Sequence, residues 1–435
     1  MRYFFTVFFA LSFLCMSNMQ AQEMDAMIDK KAAEIEEKVI EWRRHFHENP
    51  ELSNREFKTA EKVAKHLKDL GLEVKTGIAH TGVVGVLKGG KPGPVVALRA
   101  DMDALPVVER VDLTFASKVK TTYLGSEVGV MHACGHDTHV SMLMGAAEIL
   151  TSMKDDLAGS VVFIFQPAEE GAPPGEEGGA KLMVKEGVIS DNKVDVVFGL
   201  HISSGMEVGH IAYKPGGAMA ASNRFVIKVK GKQTHGSRPW SGVDPIVASA
   251  QIINGLQTVV SRQSELTKEA VVVSVGKIDA GVRNNIIPEE ATMIGTIRTL
   301  DTAMQRIVHE KVVLTATKIA ESMGATAEVT IDEGYPVTFN NVDLTGQMLP
   351  TVQRTAGKQN VHLVPASTGA EDFSYYAMEV PGLFLFVGGM PKGQNPKEAA
   401  PHHTPDFYID ESGMKLGVKT LCNLTLDYMA QTKEK

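Results

Sequence analysis

The chain has 435 residues, 43% of them hydrophobic, and a formal net charge of −8. This length suggests two or more domains, each with its own buried core. The mildly acidic balance, without any run rich in Lys and Arg, argues against a nucleic acid as the partner.

The first 21 residues differ in character from the rest of the chain. Arg2 is followed by an apolar run from Tyr3 to Met16 and then by small and polar residues. A run this short is typical of a secretory signal peptide, and a buried N-terminal helix is the alternative. We predict cleavage near Ala21, a secreted or periplasmic protein, and no membrane span in the mature chain.

After this segment, the sequence alternates between helical and strand patterns. Residues 25 to 47 and 55 to 71 predict amphipathic helices. A further helical pattern, over residues 139 to 153, lies between the first and second of three apolar runs with strand character: residues 94–100, 159–165 and 194–200. Strands that alternate with helices indicate an α/β fold with a mostly parallel sheet.

A different order begins near Phe225. The patterns predict βαββαβ, the order of a ferredoxin-like unit, inserted into a larger domain. A strand near residue 385 and a helix over residues 411 to 431 return to that larger domain. We therefore predict four segments along the chain: a signal peptide (1–21), the first part of the large domain (22–213), the inserted domain (214–334) and the second part of the large domain (335–435).

Polar side chains follow each predicted strand of the large domain. Asp101 and Asp103 come after the first strand, Glu169 and Glu170 after the second, and His201 after the third. Open α/β sheets bind their ligands at the carboxyl ends of the strands, so these side chains are expected to share one edge. Singly, each also fits an ordinary role, such as a turn, a solvated loop or a buried imidazole.

Two other segments supply further donors. "ACGHD" places Cys134 and His136 just before a helix, and "PHHTPDF" offers His402 and His403 in a loop bounded by prolines. Cysteine, histidine and carboxylate side chains are the usual donors to zinc and similar divalent ions. The combined pattern therefore predicts a metal site.

The adjacent pair Glu169 and Glu170 suits a division of roles. Neighbouring side chains on an extended segment point in different directions. One carboxylate can therefore hold a metal ion while the other takes a proton from water and passes it to a leaving group. This chemistry favours hydrolysis of an amide.

Eight motifs, in this order, resemble the amidohydrolase branch of peptidase family M20, which includes hippurate hydrolases, N-acyl-amino-acid amidohydrolases and auxin-conjugate hydrolases. They span nearly all of the mature chain: "HENPELS", "RADMDALP", "HACGHDTH", "QPAEEG", "GLH", "NIIPEEATMIGTIRT", "TGAEDFS" and "HHTPDF". The resemblance implies a catalytic domain that holds two divalent metal ions per subunit, zinc or else manganese, cobalt or nickel. It also implies that the inserted domain is a ferredoxin-like lid that forms a homodimer.

Carried over motif by motif, the resemblance assigns a role to each candidate residue. Glu169 would be the general base and then the general acid, and Asp103 would orient the residues around the metals. Cys134 would bridge the two ions, as one of five ligands: Cys134, His136, Glu170, His201 and His403. His132, His139 and His402 lie near the motifs but not at ligand positions, so they would either support the ligands or be structural, and Glu371 and Asp372 match a motif without an assigned role.

The lid would carry three more functional residues. His235 matches a position expected to stabilise the oxyanion in the partner's site, and Asn285 and Arg298 match positions that hold the oxyanion or the carboxylate of the substrate. The sequence "QTHGSRPW" departs here from the Gly-Gly-His-Ala and Pro-His of the commoner form. A surface-turn histidine and a strand-edge salt bridge are the alternatives for His235 and Arg298.

The sequence therefore predicts a metal-dependent amidohydrolase. It would cleave the amide bond of N-acyl amino acids, such as acetyl or benzoyl conjugates, by a metal-activated water with Glu169 as the base. A dipeptidase, a carboxypeptidase or an aminobenzoyl-glutamate-type hydrolase is the alternative within the family. A non-catalytic periplasmic binding protein is disfavoured, because Glu169 and all five proposed ligands are present.

Overall fold

The computed structural model describes residues 23–432, so the predicted signal peptide lies outside the described residues. The chain forms two compact units. The large unit runs from the first described residue to Pro215 and includes Asn340–Val364 and everything described from Tyr376 onwards. The small unit comprises Gly216–Phe339 and Pro365–Tyr375, and the latter segment falls within the range 335–435 that the sequence analysis assigned to the large domain.

The helices are numbered in chain order: α1 (residues 23–34), α2 (Glu36–Glu48), α3 (Phe57–Asp69), α4 (His136–Thr151), α5 (Gly179–Lys185), α6 (Pro245–Gln263), α7 (Thr302–Ser322), α8 (Val342–Ala356), α9 (Ser374–Glu379) and α10 (Met414–Thr432). No helix within residues 23–432 has both the length and the apolar character needed to cross a membrane.

The strands are numbered in the same way: β1 (Glu73–Ile78), β2 (Gly82–Lys88), β3 (Lys91–Asp101), β4 (Lys120–Tyr123), β5 (Ser126–Gly129), β6 (Ala158–Gln166), β7 (Val196–Glu207), β8 (Ile211–Tyr213), β9 (Gly216–Met219), β10 (Ala221–Lys230), β11 (Thr234–His235), β12 (Val271–Ala280), β13 (Ile286–Ile287), β14 (Glu290–Thr299), β15 (Thr326–Glu333), β16 (Thr338–Asn340), β17 (Val361–Leu363) and β18 (Gly382–Met390).

The large unit is built around an eight-stranded sheet with the order β1-β2-β6-β3-β7-β18-β8-β17. The four strands β6, β3, β7 and β18 pair in parallel, whereas β1 and β2 add an antiparallel edge. Helices α2, α4 and α10 pack on one another, and α4 and α10 also contact β3. These features confirm the predicted α/β fold with a large, mostly parallel central sheet.

The burial of strand β6 and helix α4 agrees with the apolar character of their sequences. Strand β6 is buried along nearly all its length, as expected for an apolar run covered on both faces. Helix α4 is also buried almost throughout, including the polar residues of its first turn, and only Glu148 and Thr151 are partly exposed. The segment that carries Cys134 and His136 is therefore anchored to the centre of the core.

Two sequence predictions of element boundaries were wrong. The helix expected over residues 25 to 47 is interrupted at Ile35, whose φ of −107° and ψ of 1° lie outside the helical region. His201 does not follow the third strand but lies inside it. Strand β18 pairs along β7 as far as Glu207, whereas the pairing of β3 with β7 stops at Gly199.

The small unit has its own sheet and its own core. Strands β12, β14, β10 and β15 form an antiparallel sheet in that order, and the chain passes through β10, α6, β12, β14, α7 and β15 in turn. Helix α6 begins where the Asp244 carboxylate accepts hydrogen bonds from two backbone N–H groups, with Pro245 at the first helical position. Residues such as Phe225, Ile252 and Val308 fill the core between the helices and the sheet.

Candidate metal centre

The Asp103 carboxylate connects three segments of the large unit. Its Oδ1 accepts hydrogen bonds from Nδ1 of His136 at 3.2 Å and from the backbone N–H of Glu169 at 3.1 Å. Its Oδ2 accepts from the backbone N–H of Glu170 at 3.0 Å and from Oγ of Ser53 at 2.7 Å. Burial alone would raise the pKa of Asp103, but the contacts with His136 and Ser53 hold that pKa below its ordinary value. Asp103 is therefore an ionised acceptor for all four groups.

The turn before the glutamate pair is held in a strained conformation. Ala168 has a φ of 53°, in the left-handed region that a side chain disfavours by roughly 1–3 kcal/mol. Its N–H donates to Oε1 of Glu56 at 2.9 Å, and Thr81 donates to the other oxygen at 2.5 Å. Burial, with the nearby charge of Asp103, raises the pKa of Glu56 to about 8. Ser53 and Glu56 are supporting residues that the sequence analysis missed.

His136 presents one ring nitrogen without a partner. Its Nδ1–H is directed to Asp103, while its buried Nε2 has no hydrogen-bond partner among residues 23–432. That nitrogen lies 3.9 Å from Oε2 of Glu169 and 3.9 Å from Oε1 of Glu170. The preceding Gly135 has a φ of 92°, and a Cβ there would come within 2.3 Å of the Ile202 side chain, so only glycine fits.

The Cys134 thiol lies at the centre of the remaining donors. Its Sγ is 3.4 Å from Nε2 of His201 and 3.3 Å from Nε2 of His403, and the latter nitrogen is 3.1 Å from Oε1 of Glu170. His201 donates its Nδ1–H to the carbonyl of Ile202 at 2.6 Å, which leaves a lone pair on Nε2. Two donors on one tetrahedral zinc ion would lie about 3.3–3.6 Å apart, so the separations of the two histidine nitrogens from the Cys134 thiol suit shared metal ions.

The structure thus brings all five predicted ligands together. Two groups of three donors share the Cys134 thiol: Cys134, His136 and His201, and Cys134, Glu170 and His403, with the donor atoms of each group within 4.8 Å of one another. Burial, reinforced by the carboxylates around it, raises the pKa of the Cys134 thiol well above its ordinary value. A bound cation would allow the Cys134 thiol to lose its proton and become a thiolate. The Nε2 of His136, which has no hydrogen-bond partner among the described residues, is likewise suited to bind a cation.

Three histidines near the donors are engaged otherwise or kept neutral. His139 donates Nδ1–H to Oδ1 of Asp101 at 2.6 Å, and its Nε2 accepts from the backbone N–H of Ile202 at 2.8 Å. Both ring nitrogens of His402 are likewise bound to backbone groups. His132 is buried, neither of its nitrogens has a hydrogen-bond partner in the described part of the chain, and burial lowers its pKa to about 3.

A buried charge network adjoins the first turn of α4. His47 lies between two carboxylates, with Nδ1 2.8 Å from Oδ2 of Asp137 and Nε2 3.0 Å from Oε1 of Glu109. The guanidinium of Arg43 is paired with Asp137 at 2.8 Å and with Glu411 at 3.2 Å. Burial alone would lower the pKa of His47, but Asp137 and Glu109 raise it above its ordinary value. The two carboxylates therefore favour the charged form of the imidazole.

This network makes the effect of removing His47 depend on pH. Because its folded-state pKa is raised, His47 stabilises the fold fully below its unfolded pKa, and this contribution is lost as pH rises through the folded pKa. His47→Gln should therefore lower the free energy of unfolding more at pH 5.5 than at pH 9, as measured by urea denaturation. His66→Gln is the matched control. Because burial lowers the pKa of His66, this variant should lose more free energy of unfolding at pH 9 than at pH 5.5. An equal loss for His47→Gln at both pH values would contradict the charged state.

The other predicted site residues belong to the small unit. His235 pairs in β11 with Ile286, and its Nδ1 accepts a hydrogen bond from the backbone N–H of Ser237 at 3.0 Å. The carbonyl of Asn285 accepts from the backbone N–H of Gly236 at 2.8 Å. Arg298, in β14, forms no salt bridge within residues 23–432, and partial burial lowers its pKa. The salt-bridge alternative for Arg298 therefore finds no support in the structure.

Comparisons with known proteins agree with this architecture. The chain is 43% identical over 388 residues to thermostable carboxypeptidase 2 of Saccharolobus solfataricus, covering 88% of this chain and 93% of that protein. It is 37% identical over 382 residues to N-acetyl-L-cysteine deacetylase of Bacillus subtilis, covering 87% and 85%. The crystal structure of the Bacillus subtilis YXEP protein, a dinuclear metal-binding peptidase from the M20 family, superposes with a TM-score of 0.77 at 34% identity over 92% of this chain and 99% of that one.

The family itself is also matched directly, over residues 97–427. This range runs from the middle of β3 to the last turns of α10 and contains every predicted metal ligand, from Cys134 to His403. The resemblance predicted from the ordered motifs is confirmed. The chain belongs to peptidase family M20/M25/M40.

Proposed function

We propose that this protein hydrolyses the amide bond of N-acyl amino acids, with Glu169 as the general base. Family membership confirms the predicted reaction class, metal-dependent hydrolysis of an amide bond. The observation that carries the assignment of the base is the position of Glu169. Its carboxylate is buried beside the metal donors, 3.9 Å from Nε2 of His136, and its backbone N–H is fixed by Asp103.

The donor distances support a site in which two divalent ions would be held by the five proposed ligands, and Cys134 belongs to both groups of donors. When bound, such ions lower the pKa of water and polarise a carbonyl oxygen. Glu169 would accept the proton of the attacking water and return it to the amide nitrogen as the bond breaks. Thiolate and imidazole donors favour zinc, and manganese, cobalt and nickel are the alternatives.

Loading the metal-free protein should release protons. Cys134 must lose the proton that burial favours, and His136, whose pKa its carboxylate neighbours raise to about 10 against the effect of burial, must offer a neutral Nε2. We expect about two protons per subunit at pH 7.5, measured by zinc titration calorimetry in buffers of different ionisation enthalpy. Cys134→Ser should release about one proton fewer. Zinc binding without net proton release would contradict the ligand assignment.

The substrate class can be tested by a direct comparison. The N-acetyl-L-cysteine deacetylase supports N-acyl amino acids, whereas the thermostable carboxypeptidase supports peptides as the second candidate. We expect acetyl and benzoyl amino acids to be hydrolysed with kcat/KM at least about tenfold above that for dipeptides with the same carboxyl-terminal residue. Faster hydrolysis of the dipeptides would favour a peptidase. No hydrolysis of any of these amides would overturn both.

We also propose that the small unit is a ferredoxin-like lid that forms a homodimer and binds the substrate. Its strand order and two helices support this assignment. Because Nδ1 of His235 is an acceptor, its Nε2 carries the proton and can donate to an oxyanion. The half-buried guanidinium of Arg298, which has no salt bridge within the described chain, suits a substrate carboxylate. The apolar segment before Ala21 supports a secreted or periplasmic location.

A further inference from the structure

Three consecutive backbone N–H groups around the proposed base are each bound by a buried carboxyl group. The N–H of Ala168 donates to Oε1 of Glu56 at 2.9 Å. The N–H groups of Glu169 and Glu170 donate to the two oxygens of Asp103 at 3.1 and 3.0 Å. Glu56 and Asp103 are both buried, and they come from different segments, at the start of α3 and just after β3. The turn is therefore held from two sides.

The two carboxyl groups together hold Ala168 in its left-handed conformation. Glu56 binds the peptide group on one side of its Cα atom, and Asp103 binds the peptide group on the other side. Because a peptide group is planar, fixing its N–H fixes its orientation. An alanine with a φ of 53° returns to negative φ when one of these constraints is released. Loss of the contact with Glu56 would therefore leave the direction of the Glu169 side chain undetermined.

The segment that carries Glu56 is anchored to the same loop at a second place. The side-chain amide of Asn54 donates to the carbonyl of Glu177 at 3.0 Å, and Arg55 pairs with Glu176 at 2.6 Å. The backbone of Asn54 is itself left-handed, with a φ of 59°. These contacts fix the position of Glu56 relative to the loop that follows β6.

The partners of Glu56 differ in kind from those of Asp103. The N–H of Ala168 only donates, whereas the hydroxyl of Thr81, 2.5 Å from Oε2 of Glu56, can either donate or accept. A neutral side chain with one acceptor and one donor therefore satisfies both partners. Burial, with the nearby charge of Asp103, raises the pKa of Glu56 to about 8, which favours the neutral form at pH 7. Asp103, in contrast, accepts from four donors.

We propose that Glu56 is a positioning residue for the reaction, which orients the carboxylate of Glu169 through the backbone of Ala168. It acts by the geometry of its hydrogen bonds and not by its charge. This inference rests on the proposed function, because it takes Glu169 as the base. Loss of the contact should slow proton transfer, which is measured by kcat, and should leave the binding of substrate and metal nearly unchanged.

The test compares two substitutions of Glu56. Glu56→Ala leaves the N–H of Ala168 without its acceptor, so kcat should fall about tenfold or more while KM changes by less than about twofold. Its metal content should stay at that of the unmodified protein. Glu56→Gln keeps an acceptor for Ala168 and directs its NH₂ to Thr81, so kcat should stay within about threefold. Steady-state kinetics and elemental analysis give these values, and circular dichroism gives the folded fraction by which kcat is divided.

Glu186→Ala is the matched control for the loss of such a contact. Ala79 also has a left-handed backbone, with a φ of 46°, and its N–H donates to Oε2 of Glu186 at 2.7 Å. This alanine does not precede the proposed base in the chain. Glu186→Ala should therefore leave kcat within about twofold.

Four outcomes would overturn the positioning role. They are an unchanged kcat in Glu56→Ala, a loss of metal in proportion to kcat, a rise in KM as large as the fall in kcat, and a loss in Glu56→Gln equal to that in Glu56→Ala. If Glu56→Ala does not fold, Glu56→Asp replaces it, because its carboxyl group lies one methylene short of Ala168 and should lower kcat in the same way. Failure of the proposed function is seen separately, since Glu169→Gln would then keep its kcat whatever the Glu56 variants do.

Discussion

Glu169→Gln is expected to lower kcat by about 10²-fold or more while the metal content stays at that of the unmodified protein. Glutamine preserves the size of the side chain but cannot accept a proton at neutral pH. The backbone of residue 169 is positioned through its N–H, which donates to Asp103, so the turn should survive the substitution. The measurement pairs steady-state kinetics with elemental analysis of the same preparation.

The control for this variant is another carboxylate of the same loop. Glu176 lies seven positions after Glu169 and pairs at the surface with Arg55 at 2.6 Å. Glu176→Gln should leave kcat within about twofold, as is usual for surface substitutions away from the chemistry. An unchanged kcat in Glu169→Gln would exclude Glu169 as the base. Loss of metal from that variant would instead identify Glu169 as a ligand.

The sequence predicted the elements whose pattern is local. Strand β14 covers residues 290–299, as the apolar alternation indicates, and α7 begins after the capping residue Asp301. The hairpin of β4 and β5 escaped notice because its Leu-Gly turn lacks the usual Asn-Gly signal. The continuation of β7 beyond His201 depends on pairing with β18, almost two hundred residues later. No window of neighbouring residues contains that information.

The candidate site shows the same limit. Its five proposed ligands, which the structure brings together, each lie in a recognisable motif, whereas the residues that hold them were not predicted. Ser53 is 50 positions from Asp103, and Glu56 is 112 positions from Ala168. A serine and a glutamate near the start of a helix are ordinary in sequence, and only the tertiary structure gives them these partners.

The left-handed residues at the site indicate how strongly the donors are positioned. Ala168 and His403 have φ values of 53° and 63°, and one precedes the glutamate pair while the other is itself a proposed ligand. Strain of this kind persists only where surrounding contacts determine the backbone. Here the N–H of Ala168 is bound by Glu56, and that of His403 donates to the carbonyl of Ala133 at 2.8 Å. These contacts thus fix the backbone on which the proposed donors lie.

Asp103→Asn should weaken metal binding and activity together, each by about 10–100-fold, which is the usual cost of losing a group that orients metal ligands. Asp103 accepts from four donors, and an amide group in its place would turn one acceptor oxygen into an NH₂ that faces N–H or O–H groups. A buried mismatch of this kind loses the orientation of His136 and of the glutamate turn. Chelator competition gives the metal affinity, and kinetics on the same samples give kcat.

Ser53→Ala provides the graded control, because it removes a single donor to Asp103 and leaves the carboxylate in place. It should reduce metal affinity by less than about tenfold. Comparison of Asp103→Asn with Glu169→Gln then distinguishes a residue that positions the metal ligands from a residue that transfers the proton. Excess zinc should restore much of the kcat of Asp103→Asn and none of that of Glu169→Gln. If Asp103→Asn binds zinc as tightly as the unmodified protein and still loses kcat, Asp103 positions Glu169, the proposed base, rather than the metal ligands.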